Sequence, residues 1–167
     1  MDEHRIGMQP IQRKVWAKEG KQPLGFVNPG YEWLWVYGFC CPQTGRSYLL
    51  VMTHFDGNSF QAALTAFAKA RNKHGKKRII LVLDQAGQHK CKEMLIPKGI
   101  ELKYLPPKSP ELQPSEEIWK FIDEVVANEG FKGIAVIQSL VERRCDWLED
   151  QHDLIRDETL FHWWPIV

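Results

Sequence analysis

The sequence predicts a mixed α/β domain in which helices cover the faces of a sheet. Three patterns support this fold class. Alternating aromatic and aliphatic residues indicate a hairpin over 31–53, five consecutive apolar residues occupy 79–83, and apolar residues recur at helical spacing between 60 and 68. The resulting order of hairpin, helix, strand, helix, strand and helix is typical of a mixed sheet with helices on its faces.

The hairpin is the first clear pair of strands. Residues 31–40 alternate bulky aromatic side chains with aliphatic ones, and residues 46–53 form a second run with the same character. The segment Pro42-Gln43-Thr44-Gly45 between them has the composition of a turn. Residues 56–59 then offer helix-capping side chains, and the helical pattern that follows ends by Gly75.

The second half of the chain alternates strands and helices. The apolar run 79–83 predicts a strand covered on both faces, and 100–104 predicts another. A short helical stretch is expected around 91–95. Two longer helices are expected, one that begins near Pro114 and one that includes residues 134–148.

Length and composition favour a single globular domain spanning residues 1–167. A hydrophobic content of 44% and a charged content of 26% are typical of such domains. No apolar run approaches the roughly 18 residues needed to span a bilayer, and no secretory pattern opens the chain, so we expect a cytoplasmic protein without a membrane partner. The four cysteines lack zinc-binding spacing and are interpreted as reduced structural thiols.

The net charge of +1 argues only weakly for nucleic acid, since dedicated DNA-binding domains are usually basic. Positive charge is concentrated locally between residues 69 and 78. A solvated helix end is the favoured interpretation of this run, because cations stabilise helix C-termini. A phosphate-facing surface is the alternative. The run consists of Lys69, Arg71, Lys73, His74, Lys76, Lys77 and Arg78.

Isolated acidic residues at two distant points suggest a metal site. Asp84 ends the 79–83 strand, and a proline-punctuated loop leads to Glu116 and Glu117 in the first turn of a helix. Carboxylates from separate elements suit hard divalent cations, which promote phosphoryl transfer. From the residues alone, Asp84 is equally well a helix N-cap and both glutamates are ordinary first-turn acids. Asp2 supplies a third acid.

Three segments carry a family resemblance. SPELQPSEEIW closely resembles the SP-acid-LNPIE-x-x-W signature of DDE transposases of the mariner-like superfamily, especially its bacterial insertion-sequence branch. LVLDQAGQH resembles that branch's second-aspartate motif, and DEHRIGMQPIQRKVWAKEGKQP resembles its first. The family's three acids fall on Asp2, Asp84 and Glu116. Gln113 and Ser115 depart from the usual Asn and Ile without removing a carboxylate.

The resemblance implies a ribonuclease H-like mixed sheet flanked by helices, with two Mg²⁺ (or Mn²⁺) ions held by the three acids as catalytic residues and metal ligands. Because only Met1 precedes Asp2, the first strand is expected to be largely truncated, with Asp2 poorly held. No helix-turn-helix precedes it, so the chain is expected to be the catalytic domain alone. The implied partner is double-stranded DNA, as transposon ends and target, and a second copy of the chain, in a homo-oligomer, is a further candidate.

The implied function is metal-dependent DNA strand cleavage and strand transfer at transposon ends. The alternative is a truncated, catalytically inactive transposase remnant or regulatory fragment that only binds nucleic acid or a partner. Four further residues are candidates for DNA contact or for support of the metal ligands: His89, Glu117, Lys108 and Arg5. A satisfied structural histidine and solvated surface side chains are the alternative interpretations. Glu117 also remains a substitute for Glu116.

Overall fold

The computed structural model describes residues 1–21, 23, 25, 30–91 and 94–164, and its strands form two groups. An antiparallel group has the order β1-β2-β3, and a parallel group pairs β4 with β5. The strand bounds are β1 Asp2–Gly7, β2 Trp33–Cys41, β3 Arg46–Met52, β4 Ile79–Leu83 and β5 Ile100–Tyr104. The predicted hairpin and the two predicted later strands are therefore confirmed.

The helices follow the predicted order. Asp56 caps α1 by accepting a hydrogen bond from Ser59 N at 2.7 Å, as its cap-type neighbours suggested. Pro114 lies just before α2, and α3 begins directly after Gly133. The helix bounds are α1 Gly57–Arg71, α2 Glu116–Asp123, α3 Ile134–Glu149 and α4 His152–Thr159, with 3₁₀ helices at Gly87–Lys90 and Pro110–Leu112.

The expectation of a largely truncated first strand is wrong. Strand β1 runs forward from Asp2 for six residues, and every one of them pairs with β2, from Asp2 opposite Gly38 to Gly7 opposite Trp33. The expectation rested on the residues before Asp2, whereas the strand is formed by the residues that follow it. Its backbone N–H and C=O groups are paired with β2, and its largely polar side chains give little sign of that pairing.

The helical stretch predicted around 91–95 is also not observed among its described residues. Residues 92 and 93 lie outside the described residues, and Cys91, Met94 and Leu95 are not helical. The local helix is instead the 3₁₀ turn Gly87–Lys90, one step earlier in the chain. Short apolar stretches of this kind do not distinguish a helix from a loop by periodicity.

Apolar clusters cover both faces of the antiparallel group. Leu34 and Val36 of β2 face a cluster formed with α2, α3 and α4, whereas Tyr37 and Phe39 face a cluster formed with α1, β4 and β5. This two-residue alternation places helices on both sides of the strands, as predicted. No helix in the described part of the chain is long and apolar enough to cross a membrane.

Candidate metal centre

Three predicted acids line one cleft. Asp2, Asp84 and Glu116 border a cavity of about 290 Å³, although they belong to β1, to the end of β4 and to the start of α2. The loop from Leu105 to Pro110 forms another wall of the cleft. The carboxyl end of a parallel strand is where loops leave the scaffold, which explains why the cleft lies there.

Met1 joins the three elements that carry these acids. Its terminal ammonium donates a hydrogen bond to Val82 O of β4 at 2.8 Å. Its carbonyl oxygen accepts one from Gln113 Nε2 at 2.7 Å, which ties the loop before α2 to β1. The Met1 side chain is buried in the core beneath them. The two strand groups and the loop before α2 thus meet at Met1, next to Asp2.

Asp2 is firmly held, contrary to the expectation that it would be poorly fixed. Its Oδ2 accepts a hydrogen bond from Trp119 Nε1 at 2.8 Å, and its backbone is paired in β1. The indole ring of Trp119 stacks on His4 at 5.2 Å between ring centroids. Burial raises the pKa of the Asp2 carboxyl above its ordinary value, and the negative charge of Asp84 acts in the same direction.

Asp84 follows β4 directly, and its side chain is 54% exposed. Its Oδ1 accepts a hydrogen bond from Ala86 N at 3.0 Å, and His89 Nδ1 lies 2.8 Å from the same oxygen. The N-cap position of the following 3₁₀ helix is Ala86, so Asp84 is not the helix cap that the sequence also allowed. Its carboxylate instead borders the cleft.

The two glutamates of α2 lie in different surroundings. Glu116 borders the cleft, and burial raises its pKa, with the nearby Asp2 carboxylate as the next cause. Glu117 instead contacts Lys120 Nζ at 3.0 Å, in an ion pair along the helix, and it is not among the residues that line the cleft. From the residues alone both glutamates were ordinary first-turn acids, whereas the structure gives them different surroundings.

His89 is buried between two carboxylates. Its Nε2 donates to Glu3 Oε1 at 2.7 Å, and its Nδ1 lies near both Oδ1 and the backbone oxygen of Asp84. Although burial lowers the pKa of His89, its hydrogen bond to Glu3 and the charges of Glu3 and Asp84 raise it overall. With 1% of its side chain exposed, His89 is positioned to support Asp84 and not to contact a phosphate directly.

The remaining predicted residues are dispersed. Lys108 borders the cleft beside the proline loop, whereas Arg5 lies over the ring of Trp33 at 4.2 Å from its centroid and does not line the cleft. The basic run at 69–78 surrounds the end of α1 and the start of β4, and so lies at the opposite end of that strand from Asp84.

Three residues that were not among the predicted site residues support the acids, although Glu3, as the neighbour of Asp2, was expected to lie either behind the ligands or on the surface. Gln113 is buried beside the cleft, Trp119 holds Asp2, and Glu3 holds His89. The Oε1 atom of Gln113 has no hydrogen-bond partner within the described residues. Gln113 and Trp119 belong to the SPELQPSEEIW segment, so that motif offered a signal. Nothing local in the sequence linked Glu3 to a histidine 86 residues away.

The donor set suits a hard cation. All three acids supply oxygen ligands, which Mg²⁺ and Mn²⁺ prefer. The raised pKa values of Asp2 and Glu116 show that their ionised forms are disfavoured without a cation, and a bound cation would stabilise those forms. In the part of the chain that is described, no three His, Cys, Asp or Glu side chains are already grouped closely enough to hold one ion. A cation would therefore require side-chain adjustment, which the exposed Asp84 and Glu116 allow.

Comparison with known families identifies the chain's relatives. The family described as DDE superfamily endonuclease matches residues 1–136, which is most of the chain and includes all three acids. The chain belongs to this family. The DDE endonuclease chain is also 36% identical over 101 residues to the uncharacterized protein y4pE/y4sA of Sinorhizobium fredii (strain NBRC 101917 / NGR234), across 60% of this chain and 73% of that protein.

Solved structures show the same fold for this DDE endonuclease chain. The Mos1 transposase paired-end complex with left transposon end matches with a TM-score of 0.60 at 15% identity, over 95% of this chain and 54% of that one. A pre-cleavage Mos1 transpososome matches at 0.60 and 14% identity, over 98% and 56%. The chain thus spans about half the length of these relatives. The predicted ribonuclease H-like mixed fold is confirmed.

Proposed function

We propose that this chain is the catalytic domain of a transposase that cleaves and joins DNA strands at transposon ends, with Asp2, Asp84 and Glu116 as its metal ligands. The observation that carries the proposal is the shared cleft, to which three separate elements bring these acids. Membership of the DDE superfamily endonucleases supplies the reaction class. Among the Mos1 complexes of similar fold, one contains the left transposon end and another was solved with Mn.

The side chains around the cleft would have different roles in such a site. Trp119 holds the Asp2 carboxylate in one orientation, while the half-exposed Asp84 and the exposed Glu116 remain able to adjust to a ligand. Lys108 at the edge of the cleft would attract a DNA phosphate. Divalent ions bound there would activate the attacking oxygen and offset charge on the leaving oxygen. The protein then contributes position and charge and forms no covalent intermediate.

A direct assay is cleavage of labelled duplex DNA that carries the terminal sequences of the element, with the intact chain and either Mg²⁺ or Mn²⁺. We expect nicking that EDTA prevents and that Asp84→Asn abolishes. Glu111→Gln is the matched control, because Glu111 is an acid next to Pro110 of the cleft wall but is not among the residues that line the cleft. Cleavage that survives Asp84→Asn would show that another site is responsible.

A second candidate function is DNA or partner binding without cleavage. It is favoured by the absence, among the residues described, of three acids already grouped around one point. The same assay separates the two functions. A shifted DNA band that depends on Lys108, with no nicking in either metal and no change on Asp84→Asn, would favour the binding function and refute the nuclease.

A further inference from the structure

A chain of three side chains links the interior of the domain to the candidate metal centre. Glu3 Oε1 accepts a hydrogen bond from His89 Nε2 at 2.7 Å, and His89 Nδ1 lies 2.8 Å from Asp84 Oδ1. The first two side chains are buried, with 5% of Glu3 and 1% of His89 exposed, whereas 54% of the Asp84 side chain is exposed. Only the last member reaches the cleft.

The alternation of β1 explains how Glu3 reaches His89. Successive side chains of a strand point to opposite faces, so Asp2 turns toward Trp119 of α2 while Glu3 turns toward the side covered by α1. There the ring of Phe60 from α1 packs against His89 at 4.6 Å between centroids. Two adjacent acids thus approach the same centre from opposite faces of one strand.

His89 has little freedom to move between its two partners. Tyr104 Oη donates a hydrogen bond to His89 O at 2.7 Å, which fastens the 3₁₀ helix to β5. Glu3 holds one ring nitrogen, and Phe60 covers the ring. A buried carboxylate is rare unless it is paired, and here its partner transmits the contact to a residue of the cleft.

We propose that Glu3 is a positioning residue for Asp84 and acts through His89, an inference that rests on the proposed metal-dependent function. Both His89 and Ala86 N contact Oδ1 of Asp84, which keeps Oδ2 available for a cation. Glu3 and His89 therefore fix the orientation of the half-exposed Asp84 from its buried side, as hydrogen-bonded partners of metal ligands commonly do. Glu3 itself is not among the residues that line the cleft.

The test is Mn²⁺ affinity, measured by electron paramagnetic resonance on the intact chain. The variants are Glu3→Leu, His89→Leu and the double variant. Each single change should weaken binding by about 10- to 100-fold, the usual effect of removing a partner of a metal ligand. If Glu3 acts only through His89, the double variant should bind no more weakly than His89→Leu, within about twofold.

Two further variants guard against simple loss of folding. Glu149→Leu removes an ion pair with Arg71 that involves no residue lining the cleft, and it should leave Mn²⁺ affinity unchanged even if it lowers the melting temperature. Glu3→Gln keeps an oxygen that can accept from His89 and should bind Mn²⁺ more tightly than Glu3→Leu. If Glu3→Leu does not fold, Glu3→Ala and His89→Ala supply the same cycle, because each also removes the contact.

The outcomes separate this inference from the function beneath it. Folded Glu3→Leu with wild-type affinity, or losses in the double variant that multiply, would overturn the positioning role and leave the metal centre intact. A wild-type chain that binds no Mn²⁺ removable by Asp84→Ala would instead overturn the proposed function, and the positioning role with it. Equal losses of Mn²⁺ affinity in both single variants, without a further loss in the double variant, would support the positioning role.

Discussion

Replacing Gly38 by alanine should disturb the candidate site through Trp119. A Cβ at Gly38 would lie 2.5 Å from Trp119 Cη2, whereas ordinary contact begins at 3.4 Å, so the rigid indole must retreat by roughly 0.9 Å (3.4 − 2.5). Gly38 pairs with Asp2, and Trp119 Nε1 donates to the Asp2 carboxylate at 2.8 Å. The retreat would move this donor out of line with its acceptor.

The cost combines two effects. Overpacking of a core costs about 1–3 kcal/mol, and a hydrogen bond to a charged group contributes about 1.5–3 kcal/mol. We therefore expect Gly38→Ala to lower the free energy of unfolding by about 2.5–6 kcal/mol, which at about 2–4 °C per kcal/mol corresponds to a fall in melting temperature of roughly 5–24 °C for a chain of this length. Affinity for Mn²⁺ should fall as well, because Asp2 is no longer held.

Scanning calorimetry and an Mn²⁺ titration check both parts of this prediction. The matched control is Gly133→Ala, because nothing lies within 4 Å of its added Cβ and its φ of 168° is ordinary extended backbone. The control should leave the melting temperature and the Mn²⁺ affinity nearly unchanged. If Gly38→Ala behaves like Gly133→Ala in both measurements, Trp119 does not position Asp2 and the reasoning is refuted.

Two further predictions concern the acids themselves. Asp2→Asn should raise the melting temperature of the metal-free chain near neutral pH, because burial raises the pKa of Asp2 and the ionised carboxylate therefore destabilises the fold. The gain should disappear in calorimetric scans well below pH 3.8, the ordinary pKa of an aspartate, because Asp2 is protonated there in both the folded and the unfolded state, and a gain that persists would have another origin. Glu116→Gln should abolish metal-dependent DNA nicking while Glu117→Gln, altered only in its pair with Lys120, leaves nicking near wild type. The reverse result in the same gel assay would move the third ligand by one residue.

Strong side-chain patterns made most of the fold predictable. The alternation in β2 and β3, the apolar run of β4 and the spacing in α1 each reflect burial, which sequence periodicity records directly. Strand β1 is held by backbone pairing along its length, so its polar sequence DEHRIG carried no comparable signal. The 3₁₀ helix Gly87–Lys90 is too short for periodicity to reveal.

The acids were identifiable from the sequence, but the contacts that hold them in place were not. Asp84 and Glu116 stood out because a strand end and a helix start are common places for ligands, and the motif resemblance chose Glu116 over its neighbour. The bond between Trp119 and Asp2 spans 117 residues, and that between Glu3 and His89 spans 86. Such contacts depend on how β1 lies against α2 and the 3₁₀ helix, which no local pattern encodes.

The position of bound metal tests the central claim most directly. A crystal of the intact chain grown with Mn²⁺ can be examined by anomalous scattering, which locates the ion without assumptions about its ligands. The account predicts a peak in the cleft, with oxygens of Asp2, Asp84 and Glu116 at about 2.0–2.2 Å, the range for hard divalent cations and carboxylates. No peak at saturating Mn²⁺, or a peak coordinated by other residues, would contradict it.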